Sequence, residues 1–264
     1  NSDRKLLEDI YNDVKRTHTY MNFFFQPVHK SKREALTNEQ IESIVNRTRS
    51  GETKHIDELY SEELENETHS DVLCRILYIF AKMFPEIKYV QGMNEILAPI
   101  YFTYSSDEKL GNDVDIEADT FWSFNFLMQD IRYVFQSNHD NMKDGIFVKI
   151  NKMNEVLKTI DKQMYEFFDK YNIELKLFAF RWFILFFTQD FILPDLLRLW
   201  DYIFSQKDRF TMVYYIGMAV ISLKREKILK ADFTNAILEM QNLGELLVDD
   251  IINQCGELKK KYGK

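Results

Sequence analysis

The feature that most limits the fold of this chain is its shortage of helix-breaking residues. Only 8 Gly and 4 Pro occur among 264 residues, which is few for a sandwich or barrel whose many short strands need turns. The sequence contains no alternating strand pattern of convincing length and no internal repeat of fixed period. We therefore expect an all-α fold that is irregular rather than solenoidal.

The first half of the chain contains two clear helix signals. Across residues 72–84, apolar residues recur at the i, i+3, i+4, i+7 spacing of an amphipathic helix, and Thr68 or Ser70 can cap its start. Pro85 ends this helix. A new helix is predicted to begin around Met93, after a short turn.

The rest of the chain divides into predicted loops and further helices. The predicted loops are residues 29–70, with a short helix near 38–46, and residues 104–118. The predicted helices are residues 121–128 (capped by Asp119 or Thr120), 145–171, 175–187, 196–204, 211–228, 233–243 and a last one from residue 245.

Charge, cysteine content and hydropathy exclude several classes of function. The net charge is −8 and no basic run is long enough to follow a phosphate backbone, so nucleic acid is not an expected partner. Cys74 and Cys255 have no second ligand at metal-binding spacing and are interpreted as small buried thiols of a reducing compartment. The longest uncharged apolar stretch, residues 210–223, is predicted to be a buried core helix because a membrane span needs about 20 residues.

The residue sets of common enzymes are missing from the sequence. There is no Gly-rich phosphate loop, no His-x-x-x-His pair and no Gly-x-Ser-x-Gly elbow. The five histidines, at positions 18, 29, 55, 69 and 139, are expected to be solvated surface residues. We expect no metal or cofactor bound by this chain itself.

The first informative motif is Ile10-Tyr11-Asn12-Asp13-Val14-Lys15-Arg16-Thr17. The apolar residues before and within it form a helical stripe, while Asp13 and Arg16 lie together on a different face. Spacing alone favours an ordinary i, i+3 ion pair on a solvated helix. The helix is expected to stop at Thr17, before an aromatic loop, so Arg16 could instead project into a partner.

The second motif is Tyr89-Val90-Gln91-Gly92-Met93-Asn94-Glu95. Gly92 permits positive φ or a close backbone approach beside Gln91. Taken alone, Gln91 is slightly better explained as a polar residue of an interhelical turn. Even so, an arginine and a glutamine are the two groups that GTP hydrolysis uses, the first to neutralise charge on the transferring phosphoryl and the second to orient water.

The third motif combines Phe180-Arg181-Trp182-Phe183 with the segment 194–201. Trp182 and Trp200 are predicted to anchor adjacent helices. Arg198 and Asp201, spaced i, i+3, are predicted to form a partly buried ion pair that locks two helices. A structural role is favoured for all four residues.

Together these segments resemble the TBC (Tre–Bub–Cdc) domain, the GTPase-activating domain for Rab small GTPases. Ile10-x-x-Asp13-x-x-Arg16-Thr17 is similar to the family's arginine-finger motif, Tyr89-x-Gln91-Gly92-Met93 to its glutamine-finger motif, and Arg198-x-Trp200-Asp201 to its third signature. The connecting sequence looks closest to the branch of TBC domain family member thirteen. The resemblance covers almost the whole chain.

This resemblance implies an irregular TBC-type domain of two helical lobes. The first lobe, about residues 1–140, would bear the fingers, and residues 141–264 would form the second. Domains of the family usually begin with an Arg-Gly and Trp-containing helical segment upstream of the finger motif, which this sequence does not contain. The chain is therefore expected to lack the start of its first lobe.

The resemblance also implies a mechanism in which this chain acts on another protein's nucleotide. Arg16 would neutralise charge on the transferring phosphoryl, and Gln91 would orient the attacking water. The residues expected at the partner interface are Asp13, Thr17, Tyr89, Gly92, Met93 and Asn94. The partner would be a Rab-family GTPase in its GTP form, which supplies GTP and Mg²⁺ and recruits this cytoplasmic protein transiently to endomembranes.

Two alternatives remain open from the sequence. In the first, the chain is a non-catalytic helical scaffold that binds a Rab or another partner without accelerating hydrolysis. In the second, it is a purely structural helical domain, which leaves the ordered motifs unexplained.

Overall fold

The computed structural model describes residues 2–28, 67–107, 109, 113–135 and 146–263. Within these ranges the regular structure is helical, and the predicted all-α class is confirmed. The helices are α1 (Ser2–Val14), α2 (His69–Met83), α3 (Met93–Ser105), α4 (Asp113–Phe135), α5 (Ile146–Ile160), α6 (Lys162–Lys170), α7 (Lys176–Leu185), α8 (Leu193–Phe204), α9 (Arg209–Leu223), α10 (Arg225–Leu229), α11 (Phe233–Gln241) and α12 (Val248–Tyr262). One 3₁₀ turn, Asn22–Phe25, follows α1.

The chain divides into two compact units, Asn1–Asp130 and Ile131–Lys264. In the first unit, α1 and α3 both pack on α2. Helix α2 begins with the predicted cap, since Thr68 and Asp71 form a reciprocal capping box. Its buried face includes Leu77 and Phe80, and the Phe80 ring meets the Phe124 ring of α4 at a centroid distance of 5.0 Å. Helices α1 and α3 also contact each other, so this core brings the end of α1 close to the start of α3.

The second unit is built around α9. Every residue from Met212 to Ile221 is buried, and α5, α7, α8 and α12 pack around this helix. The prediction of a buried core helix over residues 210–223 is therefore confirmed. Gly217 allows the closest approach, because a Cβ there would lie 3.1 Å from the Trp182 ring and 2.8 Å from Met153 Cε.

Helix α4 differs from its prediction, because it begins before the proposed caps. Asp119 and Thr120 lie inside the helix, and the second predicted loop, residues 104–118, is shortened at both ends by α3 and α4. The buried repeat already starts at Ile116 and continues through Thr120 and Phe124 at a spacing of four residues. Because Thr120 is fully buried on this stripe, it serves as a core residue and not as a cap.

The long helices predicted at 145–171 and 211–228 are each interrupted. At Asp161 the carboxylate accepts a hydrogen bond from the Met164 N–H at 3.0 Å and pairs with Arg225, which starts α6 as a separate helix. At Lys224, α9 ends and the short α10 begins. The buried Lys224 ammonium bonds Glu239 and Glu245, so distant partners determine this break.

One predicted element, the short helix near residues 38–46, lies outside the described residues. In the part of the chain that the structure describes, no helix is both long and apolar enough to cross a membrane.

Candidate functional site

The end of α1 presents an arginine on a buried acid. Asp13 has a side chain only 9% exposed, whereas that of Arg16 is 69% exposed, and Arg16 Nη2 donates to Asp13 Oδ1 at 2.7 Å. The Arg16 N–H also bonds the Asp13 carbonyl at 3.0 Å, so the chain leaves α1 in a tight turn. The two members of the pair therefore differ in exposure, since the Asp13 carboxylate is held inside the protein and the Arg16 guanidinium projects into solvent.

The segment between α2 and α3 presents Gln91 at the surface. Lys88, at φ 61°, and Gly92, at φ 106°, both have left-handed backbone conformations on either side of the turn. Gly92 is the N-cap of α3, and Gln91 is exposed. The φ of 106° explains why position 92 is a glycine, because residues with a Cβ rarely adopt this backbone conformation. The turn thus holds Gln91 away from the helical core.

Four side chains connect these two segments, and we refer to Asp13, Thr17, Tyr89 and Asn94 as the polar hub. The Tyr89 hydroxyl donates to Asp13 Oδ2 at 2.8 Å, on the carboxylate oxygen that Arg16 does not use. Asn94 Nδ2 donates to Thr17 Oγ1 at 2.7 Å. Thr17 Oγ1 donates to the Asp13 carbonyl at 3.0 Å. The hub therefore joins the end of α1 to the turn that carries Gln91.

The protonation state of Tyr89 suits this arrangement. Burial, together with the hydrogen bond to Asp13 and the charge of that residue, raises the pKa of the Tyr89 phenol well above its usual range. The phenol consequently stays neutral and can donate its proton to the Asp13 carboxylate. Both carboxylate oxygens of Asp13 then have a donor, as a buried acid requires.

Two histidines differ from the prediction of solvated surface residues, since His18 is buried and His69 is half-buried. His18 is 6% exposed, stacks on Phe24 at 5.9 Å, and places Nδ1 3.1 Å from the Tyr20 hydroxyl. His69 stacks on Phe23 at 4.1 Å. Burial lowers the pKa of each from 6.5 to about 4. His18 directly follows the first motif, so the aromatic segment after it was the signal that could have revealed its burial.

The other three histidines, at positions 29, 55 and 139, lie outside the described residues. Of the two cysteines, Cys255 is buried and Cys74 is half-buried, and both are free thiols. Burial raises the pKa of Cys255 to about 11 and that of Cys74 to about 12. Neither thiol is therefore a reactive nucleophile at neutral pH.

The structure divides the predicted finger-site residues into two groups. Arg16 and Gln91 are exposed, and Tyr89 is half-buried. The remaining predicted interface residues, Asp13, Thr17, Gly92, Met93 and Asn94, are buried. Contact of these buried side chains with a partner stays a prediction. Their buried positions allow these residues to hold the two segments that carry Arg16 and Gln91 in place. Sequence spacing could not distinguish this supporting role from direct contact with a partner.

The third motif lies in the second unit and is structural in its contacts. Trp182 is fully buried, and Trp200 donates its Nε1–H to the Phe186 carbonyl at 2.8 Å. The predicted partly buried Arg198–Asp201 pair is wrong. Arg198 Nη2 instead lies 3.3 Å from Asp249 of α12, and both of these side chains are more than half exposed.

The buried ion pair of this region joins Arg181 and Asp190. Arg181 Nη2 donates to Asp190 Oδ1 at 2.5 Å, and the Asp190 side chain is fully buried. The pKa of Asp190 is raised because burial outweighs the opposing attraction of Arg181. The arginine that fixes the third motif is thus the one beside Trp182.

Comparison with known proteins adds a family to this geometry. The model of the Rab-GTPase-TBC domain matches residues 25–229, a range that includes Gln91 and begins after Arg16. Human TBC1 domain family member 13 is 39% identical over 193 residues, which are 73% of this chain and 48% of the relative. Human TBC1 domain family member 22A is 29% identical over 197 residues, covering 69% of this chain and 37% of that relative. The chain thus spans about half, or less, of the length of these relatives.

A solved structure agrees at the level of the fold. The crystal structure of the Ypt/Rab-GAP domain of Gyp1p matches with a TM-score of 0.63 and 20% sequence identity, covering 97% of this chain and 91% of that domain. At this identity the similarity concerns the arrangement of helices alone. The match of the family model to residues 25–229, most of the chain, shows that this chain belongs to the Rab-GTPase-TBC domain family.

Proposed function

We propose that this chain is a GTPase-activating domain for a Rab-family GTPase, with Arg16 and Gln91 as two fingers that act together on the partner's nucleotide. Membership of the Rab-GTPase-TBC domain family supports the class of activity. The observation that carries the assignment of residues is the polar hub. Three of its four residues are buried and Tyr89 is half-buried. Its hydrogen bonds connect Arg16, the arginine of the first motif, to the turn that carries Gln91, the glutamine of the second.

Arg16 has the geometry that a charge-neutralising finger needs. Asp13 Oδ1 engages one terminal nitrogen, and a guanidinium carries five N–H donors in all. The Arg16 guanidinium can therefore bind phosphate oxygens with its remaining N–H groups while Asp13 keeps the side chain oriented. In phosphoryl transfer a finger arginine contributes about 10³–10⁵ in rate, or roughly 4–7 kcal/mol of barrier.

Gln91 would perform the second task, the orientation of the attacking water. Its carboxamide offers both a donor and an acceptor, and the left-handed Gly92 lets the turn come close to a partner's surface. GTP and Mg²⁺ would be supplied by the partner in its GTP form. Recruitment from the cytoplasm to endomembranes would also occur through that partner.

Single-turnover GTP hydrolysis across a panel of Rab proteins tests this proposal. Arg16→Ala is expected to reduce the stimulated rate by about 10³-fold or more, and Gln91→Ala should also cause a large loss. Arg16→Lys keeps the charge but loses the planar fork, so it should remain strongly impaired. Arg4→Ala removes an exposed arginine of α1, ion-paired with Glu8, and should leave the rate unchanged.

Equal rates for the wild-type chain, Arg16→Ala and Gln91→Ala would refute the catalytic role of these residues. Binding of a GTP-loaded Rab without acceleration, with affinity kept in Arg16→Ala, would assign the non-catalytic scaffold instead. The absence of any Rab binding would leave only a structural role. Circular dichroism of each variant checks that the exposed substitutions preserve the helical fold.

A further inference from the structure

Asn94 is a buried amide that is hydrogen-bonded at both its nitrogen and its oxygen end. It is 3% exposed. Its Nδ2 donates to Thr17 Oγ1 at 2.7 Å and lies 3.4 Å from the Asp13 carbonyl oxygen. Its Oδ1 accepts from the Gly92 N–H at 3.0 Å and lies 3.3 Å from the Tyr89 hydroxyl. An asparagine offers two donors and two lone pairs, so the side chain has no alternative orientation that satisfies these partners.

The two ends of this amide hold the two predicted fingers separately. Its donor end bonds Thr17, the residue after Arg16, and its acceptor end bonds the N–H of Gly92, the residue after Gln91. Thr17 uses its own hydroxyl hydrogen on the Asp13 carbonyl, so its oxygen can only accept from Asn94. The direction of every bond between the two segments is therefore fixed.

From this geometry we propose that Thr17 and Asn94 are positioning residues that couple Arg16 to Gln91. The effect of this coupling on catalysis rests on the proposed function, whereas the physical coupling of the two segments does not. Physically, a movement of one segment would rotate the amide and leave a buried polar group without a partner on the other side. Loosening the end of α1 thus loosens the Gln91 turn as well, although Thr17 and Gly92 are 75 positions apart in the sequence.

A measurement without any partner tests the coupling itself. In Thr17→Val the hydroxyl is lost while the side-chain shape is kept, and we expect the Gly92 amide hydrogen to exchange roughly fivefold faster. Thr17→Ser keeps the hydroxyl and should preserve the wild-type exchange rate. The amide of Ser106, which bonds Phe102 at the far end of α3, reports any general destabilisation and should change little.

The second measurement concerns catalysis at saturating Rab, where a positioning defect lowers the maximal rate and leaves binding intact. We expect Thr17→Val to lose about 10- to 100-fold in maximal rate, and Thr17→Ser to remain within about threefold. Gln91→Ala should cost less in the Thr17→Val background than in the wild type, because coupled residues are not additive. Thr103→Val, which removes a hydroxyl bonded to the Pro99 carbonyl elsewhere on α3, is the matched control and should retain full activity.

The outcomes separate this inference from the proposed function. If the wild-type chain accelerates no Rab, the proposed function fails, while the Gly92 exchange experiment still decides the coupling. Unchanged Gly92 exchange in Thr17→Val overturns the coupling. Faster exchange with an unchanged maximal rate, or with strictly additive losses, overturns the positioning role in catalysis.

Discussion

Replacement of Tyr89 by phenylalanine isolates one bond of the polar hub. The ring is kept, and only the hydroxyl that donates to Asp13 Oδ2 at 2.8 Å is removed. The Asp13 side chain is 9% exposed, so water cannot readily take the place of this donor. Hydrogen bonds to charged groups contribute about 1.5–3 kcal/mol. We therefore expect Tyr89→Phe to lower the free energy of unfolding by about 2 kcal/mol.

Tyr104→Phe provides a matched control in the same unit. The Tyr104 hydroxyl lies 2.7 Å from Ser123 Oγ, so the deleted group is the same but its partner is neutral. Both residues are only half-buried, and water can restore part of the loss. A neutral hydrogen bond of this kind contributes about 0.5–1.5 kcal/mol. Urea denaturation followed by far-ultraviolet circular dichroism gives both free energies from the midpoint and the slope.

The difference between the two losses in free energy of unfolding tests whether the buried Asp13 carboxylate depends on Tyr89. Tyr89→Phe should be the more destabilising because it leaves a buried charged oxygen without its donor. A loss no greater than that of Tyr104→Phe would mean that Asp13 does not depend on Tyr89. The hub would then not be the support of the Gln91 turn, and the shared support proposed for both fingers would lose its main physical basis.

The remaining predictions concern pH, a buried lysine and a left-handed glycine. Burial lowers the pKa of His18 from 6.5 to about 4, so the unfolded chain binds the proton first as the pH falls. Between pH 6.5 and 4, His18 should therefore contribute a decline of up to about 3 kcal/mol in the free energy of unfolding, in addition to the decline caused by His69, whose pKa is lowered similarly. His18→Asn should remove the His18 part of this decline in urea titrations at several pH values. Lys224→Met removes a fully buried ammonium that bonds two carboxylates and a carbonyl, and it should lower the free energy of unfolding by about 2–3 kcal/mol in the same assay. Lys227→Met removes an exposed partner of Glu245 and should be clearly less destabilising. Equal losses for the two lysines would contradict the importance of burial. Gly92→Ala places a Cβ at φ 106° and should cost about 1–3 kcal/mol, and an unchanged melting temperature would show that the turn relaxes without strain.

The elements that sequence predicted well are those with local causes. Helix α2 has its capping box, its apolar stripe and its terminating proline within one continuous stretch. Helix α9 is apolar all round, and such a helix can only be enclosed by others. In both cases the residues that determine the structure are neighbours in the sequence.

The elements that sequence missed depend on distant partners. The break at Asp161 relies on Arg225, which is 64 residues away, and the break at Lys224 relies on acids of α11 and the segment after it. Arg198 satisfies its charge on α12 rather than at the nearby Asp201. Only the resemblance to a known family singled out Arg16 and Gln91 as candidates, whereas the positions of Thr17 and Asn94 become visible through a contact between residues 77 positions apart.

The Asp13–Arg16 pair, whose arginine we propose as a finger, differs from an ordinary surface ion pair in the burial of its acid, and sequence spacing does not encode burial. An exposed i, i+3 pair holds its two side chains weakly, since each is solvated and both are mobile. Asp13 is instead fixed by Tyr89 on its second oxygen and by Thr17 on its carbonyl, and Arg16 alone remains in solvent. If Arg16 binds an anionic partner as we propose, less conformational entropy is lost on binding, because folding has already ordered the Asp13 carboxylate that holds its side chain.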